Sequence, residues 1–245
     1  MKRILSTFSQ KWPEYIIEAI VIIASILGAY ALDNWNEYNQ DRNKEMYFLK
    51  RLEKEFSKDS ANLAGAIKIL NYKVDAGKEL KAFLENPAGE QPKYLVRKAI
   101  LGGRVLVFRS FTPSFDEALA SGQLSLIRND SIKDIINYYK DYLEGLKTFT
   151  TDEGQKRKTE YNEHVFKYFD AEIAADIWEQ SNPDSLNLSK YKNDEVGFVK
   201  DPSSLYHIKS VLLVDRETSL LYERAIVIGL NPVLESIRKE ISSRE

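Results

Sequence analysis

Apolar residues recur every three or four positions along the first third of the chain, which is the period of an α-helix. Charged side chains such as Lys50, Lys54 and Lys58 cover the opposite side as a solvated face. The turn sequence Asn86-Pro87-Ala88-Gly89 follows, and Pro and Gly do not continue a helix. We therefore predict a long amphipathic helix that ends near residue 84, with an apolar stripe formed by Leu49, Leu52, Phe56, Leu63, Ile67, Leu70, Val74, Gly77, Leu80 and Leu84.

An apolar segment precedes this helix, and the run from Ala19 to Leu32 carries no charge. Extending it from Trp12 to Trp35 gives enough length to cross a bilayer, with an aromatic residue at each end. We predict a transmembrane helix over residues 14–35 that continues into the amphipathic helix. The alternative is a cleaved signal peptide, because Ala29-Tyr30-Ala31 resembles a small-x-small cleavage site. Glu18 and the unbroken helical pattern favour the retained anchor.

The charges beside the apolar segment predict its orientation. Basic residues precede it at Lys2, Arg3 and Lys11, and only acidic residues follow it before Arg42, at Asp33, Glu37 and Asp41. By the positive-inside rule, residues 1–13 are cytoplasmic and residues 36–245 form an exported domain. We expect a single-pass inner-membrane protein whose C-terminal domain is periplasmic.

Two features inside the predicted span carry functional hypotheses. Small residues stand four apart at Ala24 and Gly28, and again at Ser25 and Ala29, which allows close helix association and a homo-oligomer. Glu18 is an intramembrane acid, and such a charge is costly and frequently functional. It lies near the cytoplasmic edge, so an interfacial carboxylate beside Lys11 is the simpler interpretation.

Local signals predict further short helices after residue 90. Pro92–Leu101 is expected to form one, closed by two glycines, and Val105–Phe108 an extended connector. Ser114-Phe115-Asp116-Glu117 matches a capping box, in which Ser and Glu side chains bond reciprocally to the backbone. With Gly122 as its C′ residue, this motif predicts a two-turn helix over Phe115–Ser121.

Longer helical patterns fill the C-terminal half. Asn129-Asp130 is expected to cap a helix that reaches Phe149, and the pattern resumes from Tyr161 to Ile177, with Thr150–Thr159 as a kink or an exposed middle. The polar stretch Ser181–Lys200 is interpreted as a surface loop.

Asp201-Pro202 starts the last helix, which runs to about Ile241 with a kink or break at Asn231-Pro232. The sequence therefore predicts an all-α protein, with its helices packed as an antiparallel bundle.

Composition narrows the functional classes. The 245 residues carry a formal net charge of -2, are 43% hydrophobic, and contain no cysteine and two histidines. This balance excludes a disordered chain and a polytopic membrane protein, and it gives no support for nucleic-acid binding. Without cysteine, disulfides, thiolate metal sites and Cys nucleophiles are excluded.

Two residues are candidates for a polar core or a ligand contact. His164 adjoins an apolar stripe, so a satisfied, partly buried histidine is expected rather than a catalytic one. Asp215 falls where the stripe of the last helix expects an apolar residue, so it needs a partner. That partner is Arg216, Arg224 or a residue on a neighbouring helix, unless Asp215 marks a polar ligand pocket. We expect no cofactor, no metal and no catalysis.

Three stretches resemble an uncharacterised family of single-pass proteins, widespread in one phylum of Gram-negative bacteria. The first runs from Glu18 through an apolar span to Asn34-Trp35-Asn36-Glu37, and the second is Phe115–Asn129, with its Ser-Gly-x-Leu-x-Leu-Ile-x-Asn element and Tyr138-Tyr139 downstream. The third is Asp201 with the final helix. Members usually place Gly before the acidic residue, where this chain has Ile17. The resemblance implies membrane anchoring and a helical exported domain, and it implies no activity.

These observations favour a non-catalytic, membrane-anchored scaffold or interaction protein with an unidentified protein partner. One alternative is a periplasmic ligand-sensing bundle that acts through a membrane partner. Another is an oligomeric span with an ion or proton path through Glu18.

Overall fold

The protein is built from helices. The computed structural model describes residues 2–179 and 187–244, and the side chains of residues 12–177 and 187–244. It is 83% helical without a strand in the described part of the chain, which confirms the all-α prediction. The α-helices are α1 (Lys2–Glu85), α2 (Leu95–Gly102), α3 (Pro113–Ser121), α4 (Asp130–Thr148), α5 (Gln155–Val165), α6 (Glu172–Glu179), α7 (Glu195–Lys200), α8 (Pro202–Arg224) and α9 (Asn231–Ser242).

Helix α1 is one continuous element of 84 residues, roughly 126 Å long at 1.5 Å per residue. Its apolar N-terminal segment contains a window of mean hydropathy 2.2, none of which is buried. Its C-terminal part packs against other helices, so the predicted continuity of the two segments is confirmed. The apolar segment has the length and composition of a membrane anchor, which an N-terminal signal sequence can share.

Helices α1 and α8 run antiparallel and form the most extensive helix pair among the described residues. Ser219 Oγ donates a hydrogen bond to Asn71 Oδ1 at 2.8 Å. Six residues further along α1, Gly77 faces Leu212, and a Cβ atom at Gly77 would lie 3.1 Å from Leu212 Cδ1. Residue numbers therefore increase along α1 while the numbers of the α8 residues in contact decrease, as expected for antiparallel helices.

The buried apolar side chains form two clusters along the bundle. The proximal core lies nearer the apolar segment and joins α1 between Phe48 and Leu70 to α3, α4, α9 and the C-terminal end of α8. The distal core joins α1 between Leu80 and Leu84 to α2, α5, α6, α7 and the N-terminal half of α8. Most of the predicted α1 stripe is buried in these cores; Val74 is buried outside both, and Ile67 and Gly77 are half-buried.

Two π-helical turns replace the predicted interruptions. Phe149–Gly154 links α4 directly to α5 at the place where the sequence predicted a kink or an exposed middle; Thr150 and Gly154 are buried, whereas Asp152 and Glu153 are exposed. Ala225–Leu230 links α8 to α9 ahead of Pro232, and the chain continues without a break. A π turn frees backbone groups from the regular α ladder, which lets a helix accept a proline that lacks an N–H group.

The predicted capping box at Ser114 is wrong. Helix α3 begins at Pro113, and neither Ser114 nor Glu117 caps it. The Ser114 hydroxyl and backbone N–H both donate to the Glu55 carboxylate of α1, so a tertiary contact replaces the local one. The predicted end of this helix is confirmed, because Gly122 adopts the left-handed conformation with φ 73°.

Two further boundaries differ from the sequence prediction. The pattern from Tyr161 to Ile177 is divided between α5 and α6, with a non-helical turn between them. The stretch interpreted as a surface loop contains α7, which Asp194 caps by accepting from Gly197 N at 2.8 Å. Burial of Phe198 holds α7 in the distal core, and the part of that stretch at residues 181–186 lies outside the described residues.

Candidate functional site

A cluster of three buried charged residues lies where the two cores meet. Lys73 of α1 and Lys158 of α5 both donate to Asp215 Oδ1 of α8, with Nζ–Oδ1 distances of 3.0 and 2.8 Å. Their side chains are at most 6% exposed. We call Lys73, Lys158 and Asp215 the buried charge cluster. Asp215 is thus paired as expected, but by lysines of neighbouring helices and not by Arg216 or Arg224.

The lysines also hold the turn that follows α2. Lys158 Nζ donates to the Gly102 carbonyl oxygen at 2.7 Å, and Lys73 Nζ donates to the Arg104 carbonyl oxygen. Carbonyls at the end of a short helix lack intrahelical partners, so buried ammonium groups satisfy them. The buried charge cluster therefore ties α1, α5, α8 and the residue 102–104 turn together.

Burial sets the protonation of this cluster. The pKa of Lys158 is lowered to about 7, chiefly by burial; Asp215 opposes this shift, and the neighbouring Lys73 ammonium adds to it. A lysine with such a pKa is partly neutral at neutral pH and can in principle exchange a proton. The cavity beside it measures about 10 Å³, close to the smallest volume that holds one water molecule. A substrate therefore cannot reach Lys158 in this conformation, and the geometry supports a structural tie.

His164 belongs to a second polar group at the N-terminal end of α8. Its Nε2 lies 2.8 Å from Ser204 Oγ, and its ring stacks on His207 with centroids 4.6 Å apart. The Tyr168 hydroxyl donates to Asp201 Oδ2 at 2.5 Å, which contributes to a pKa of about 2 for Asp201, the N-cap of α8. His164 is buried and hydrogen-bonded, as the sequence suggested.

The His164–Ser204 contact resembles a base beside a nucleophile, but its surroundings do not fit that chemistry. Ser204 is fully buried, so its hydroxyl has no access to a substrate. Burial, followed by the neighbouring His207, lowers the pKa of His164. Among the residues that the structure describes, no group of three or more His, Asp or Glu side chains is arranged to hold a metal ion.

The candidate residues of the apolar segment lie apart from both polar groups. Glu18, Ala24, Ser25, Gly28 and Ala29 are exposed. A Cβ atom at Gly28 would meet no neighbouring atom within 4 Å, and Ser25 Oγ donates to the Val21 carbonyl oxygen within its own helix. The single chain therefore leaves this face open, and helix association through it stays a prediction.

The Ser-Gly-x-Leu-x-Leu-Ile-x-Asn element, residues 121–129, holds the segment between α3 and α4 against the bundle. The backbone N–H of Arg128 donates to the buried Glu45 at 2.8 Å, and Asn129 Nδ2 donates to Glu240 of α9 at 3.0 Å. Arg42 and Arg244 also donate to Glu45, which is fully buried. These contacts therefore fix the end of the proximal core that lies nearest the apolar segment, where α1, α9 and residues 121–129 meet.

Comparison with known proteins agrees with the family resemblance. The profile of a family described as "Family of unknown function (DUF6090)" matches residues 18–181, which include α6 and all described helices before it from Glu18 onward. Lys73 and Lys158 lie inside the matched range, whereas Asp201, Asp215 and the last helices lie outside it. No match is found among curated proteins or among solved structures.

Proposed function

Because the chain belongs to the DUF6090 family, whose function is unknown, we propose its role from its architecture. The proposal is a non-catalytic, membrane-anchored helical scaffold of the bacterial envelope that binds a protein partner. A scaffold of this kind holds a partner at a defined distance and orientation relative to the bilayer.

The observation that carries the proposal is the continuity of α1. The helix leaves the apolar segment and enters first the proximal core and then the distal core without an interruption. From Trp35 to Glu85 it extends about 75 Å at 1.5 Å per residue. Since the same helix supplies the anchor and the central element of both cores, the bundle is held as an extension of its anchor.

The proposal places one span in the inner membrane, a cytoplasmic N-terminus and a periplasmic bundle. The basic residues before the apolar segment and the acidic residues after it support this orientation. The cysteine-free chain allows a direct test with single cysteines. In intact spheroplasts, a membrane-impermeant maleimide should label Lys68→Cys, and it should label Ser6→Cys only after lysis. Labelling in the reverse order would contradict the orientation, and a mature chain that lacks residues 1–31 by mass spectrometry would contradict the anchor.

The scaffold role is tested by the mass of the particle that the full-length chain forms. After in-cell crosslinking and mild solubilisation, we expect a protein mass well above 28.2 kDa that includes a second polypeptide. A flexible Gly-Ser insertion between Asn36 and Glu37 should weaken this complex, because it uncouples the distance and orientation of the bundle from its anchor. The same insertion after Gly89, in the turn that follows α1, is the matched control and should leave the complex intact. A mass of 28.2 kDa for the unaltered protein would contradict the proposal.

A further inference from the structure

Helix α8 carries a row of exposed apolar side chains at intervals of seven residues. Tyr206, Leu213 and Leu220 are 68%, 46% and 49% exposed, and Val227 follows at the same interval in the π turn with 63%. None of these four residues belongs to either core. Residues seven apart lie on one side of a helix, in the arrangement that helices use to pack against each other. A row of this kind on a protein surface indicates an interaction site.

The row borders a groove between α8 and α1. The groove has a volume of about 360 Å³, and its apolar lining consists of Val74, Ala82, Leu212 and Leu213. Leu213 belongs to both features, so the groove and the exposed row form one continuous surface. A groove between two helices accepts a third helix, whose apolar side chains enter it at intervals of three and four residues.

The groove is positively charged. Four cations line it: Lys78, Lys81, Lys209 and Arg216. Lys81 and Lys209 share Glu85, at 3.9 and 2.8 Å, and Lys78 pairs with Asp75 at 2.9 Å. No carboxylate among the described residues lies within ion-pair distance of Arg216. Two carboxylates thus face four cations, and the groove favours an acidic occupant.

A second copy of this chain fits the surface poorly. Two copies anchored in one membrane would present their α8 helices in parallel, because each α8 is antiparallel to its own α1. The row would then pair with itself and bring Arg216 opposite Arg216, and like charges in direct contact oppose association. The occupant that agrees with both the apolar row and the charge belongs to a different protein.

We propose that the α1–α8 groove binds an acidic amphipathic helix of a partner protein. This inference rests on the proposed scaffold function and specifies the chemistry of the partner. Leucine-like side chains of the partner cover Leu213 and Leu220, and its carboxylates approach Arg216 and Lys209.

A pair of synthetic helical peptides tests the proposal on the full-length protein in zwitterionic nanodiscs. Both peptides carry leucine at the a and d positions; the flanking positions hold glutamate in the first and lysine in the second. Fluorescence anisotropy, with empty nanodiscs as the blank, measures their affinities. We expect the acidic peptide to bind at least tenfold more tightly than the basic one, and equal affinities would overturn the proposal.

Two variants locate the binding. Leu213→Asn with Leu220→Asn should weaken the acidic peptide at least tenfold, whereas Leu119→Asn, which changes an exposed leucine of α3, should not. Arg216→Glu with Lys209→Glu should reverse the charge preference, and Lys147→Glu with Lys156→Glu is the matched control. If the double variant Leu213→Asn with Leu220→Asn binds the acidic peptide as tightly as the unaltered protein does, the groove is not the site. That result would contradict the groove as the binding site, but it would not contradict a complex isolated from cells by crosslinking. The groove proposal and the scaffold proposal can therefore fail separately.

Discussion

The connector, Gly103–Ser114, joins α2 to the first turn of α3, and its two ends are held by opposite chemistry. Toward the proximal core, carboxylates of α1 accept hydrogen bonds from connector N–H groups: Glu55 from Ser114, and Asp59 from Phe111 at 3.0 Å. At the distal end, Lys73 of α1 donates to a connector carbonyl. The same helix therefore offers acceptors along one part of its length and a donor further along.

The connector needs such contacts at both ends because of its conformation. Residues 104–112 form no helix, so their backbone groups have no partners within a helical ladder, and a buried backbone group without a partner is costly. Side chains of α1 supply those partners. Glu55 and Asp59 each bring a single charge to the connector, whereas the buried charge cluster places two cations, Lys73 and Lys158, against one carboxylate. We therefore expect the junction between the cores to be more sensitive to substitution than either core.

The largest effect is expected for Asp215→Asn. It leaves two buried ammonium groups without a carboxylate, and breaking a buried ion pair in this way costs about 3–5 kcal/mol. Urea unfolding should show the loss, and hydrogen exchange should accelerate in α5 and the residue 102–104 turn before α9. Asp75→Asn, which alters the exposed pair with Lys78, should cost at most about 1 kcal/mol. Similar losses for the two variants would contradict the special role of the junction.

The second effect is a pH dependence. Burial lowers the pKa of Lys158 from 10.5 to about 7, so the unfolded chain binds its proton more tightly than the folded protein does. Lys158 should therefore add stability as pH rises from 7 toward 10.5, and this contribution should be lost as pH falls to 7. Over two pH units the change is at most about 2.7 kcal/mol. Lys158→Met should remove this slope between pH 7 and 9, and an unchanged slope would place the titration elsewhere.

A third comparison concerns packing in the proximal core. A Cβ atom at Gly229 would lie 2.6 Å from Tyr139 Cδ2, so Gly229→Ala overfills the core and should cost about 2 kcal/mol. Gly65 has no atom within 4 Å of the same position, and Gly65→Ala should instead stabilise the exposed face of α1 by up to about 1 kcal/mol. Thermal unfolding should move in opposite directions for the two variants. If the unfolding temperatures of the two variants shifted in the same direction, the Tyr139 side chain would have moved to accommodate the added methyl group.

The smallest effect is expected in the distal core. Burial, with the neighbouring His207, lowers the pKa of His164 below its ordinary 6.5. The neutral ring therefore contributes stability above pH 6.5, and this is lost as pH falls below that value. Urea unfolding at pH 7 and pH 5 should show a smaller loss for His164→Gln than for the unaltered protein. Equal losses would assign the acid sensitivity to other groups.

Features encoded by local sequence were predictable. The α1 stripe, the end of α1 at the Asn-Pro turn, the left-handed Gly122 and the Asp201 N-cap depend on residues within a few positions of each other. The partners of Asp215 were not, because Lys73 and Lys158 are 142 and 57 residues away. One signal was available: Thr150, Gly154 and Lys158 stand four apart, on the face that buries them.

The failed capping box shows the limit of local rules. Ser114 and Glu117 have the required spacing, but the half-buried Glu55 carboxylate of α1 competes for the Ser114 hydroxyl and backbone N–H. Ser114 is buried against α1, where water cannot satisfy its polar groups, so they bond to Glu55 across the helix interface. The groove between α1 and α8 could not be predicted from the sequence either. The pattern of each helix gives its own exposed cations, but it does not show which helices pack together and so which cations share a groove.

The unbroken α1 also sets a rotational phase. Each residue of an α-helix turns the chain by about 100°. The face of the apolar segment that carries Ala24 and Gly28 and the face of the bundle that carries the groove are therefore held at a fixed angle about the axis of α1. Inserting one residue between them would turn the groove by about 100°, whereas inserting seven would return it to within about 20° of its original direction.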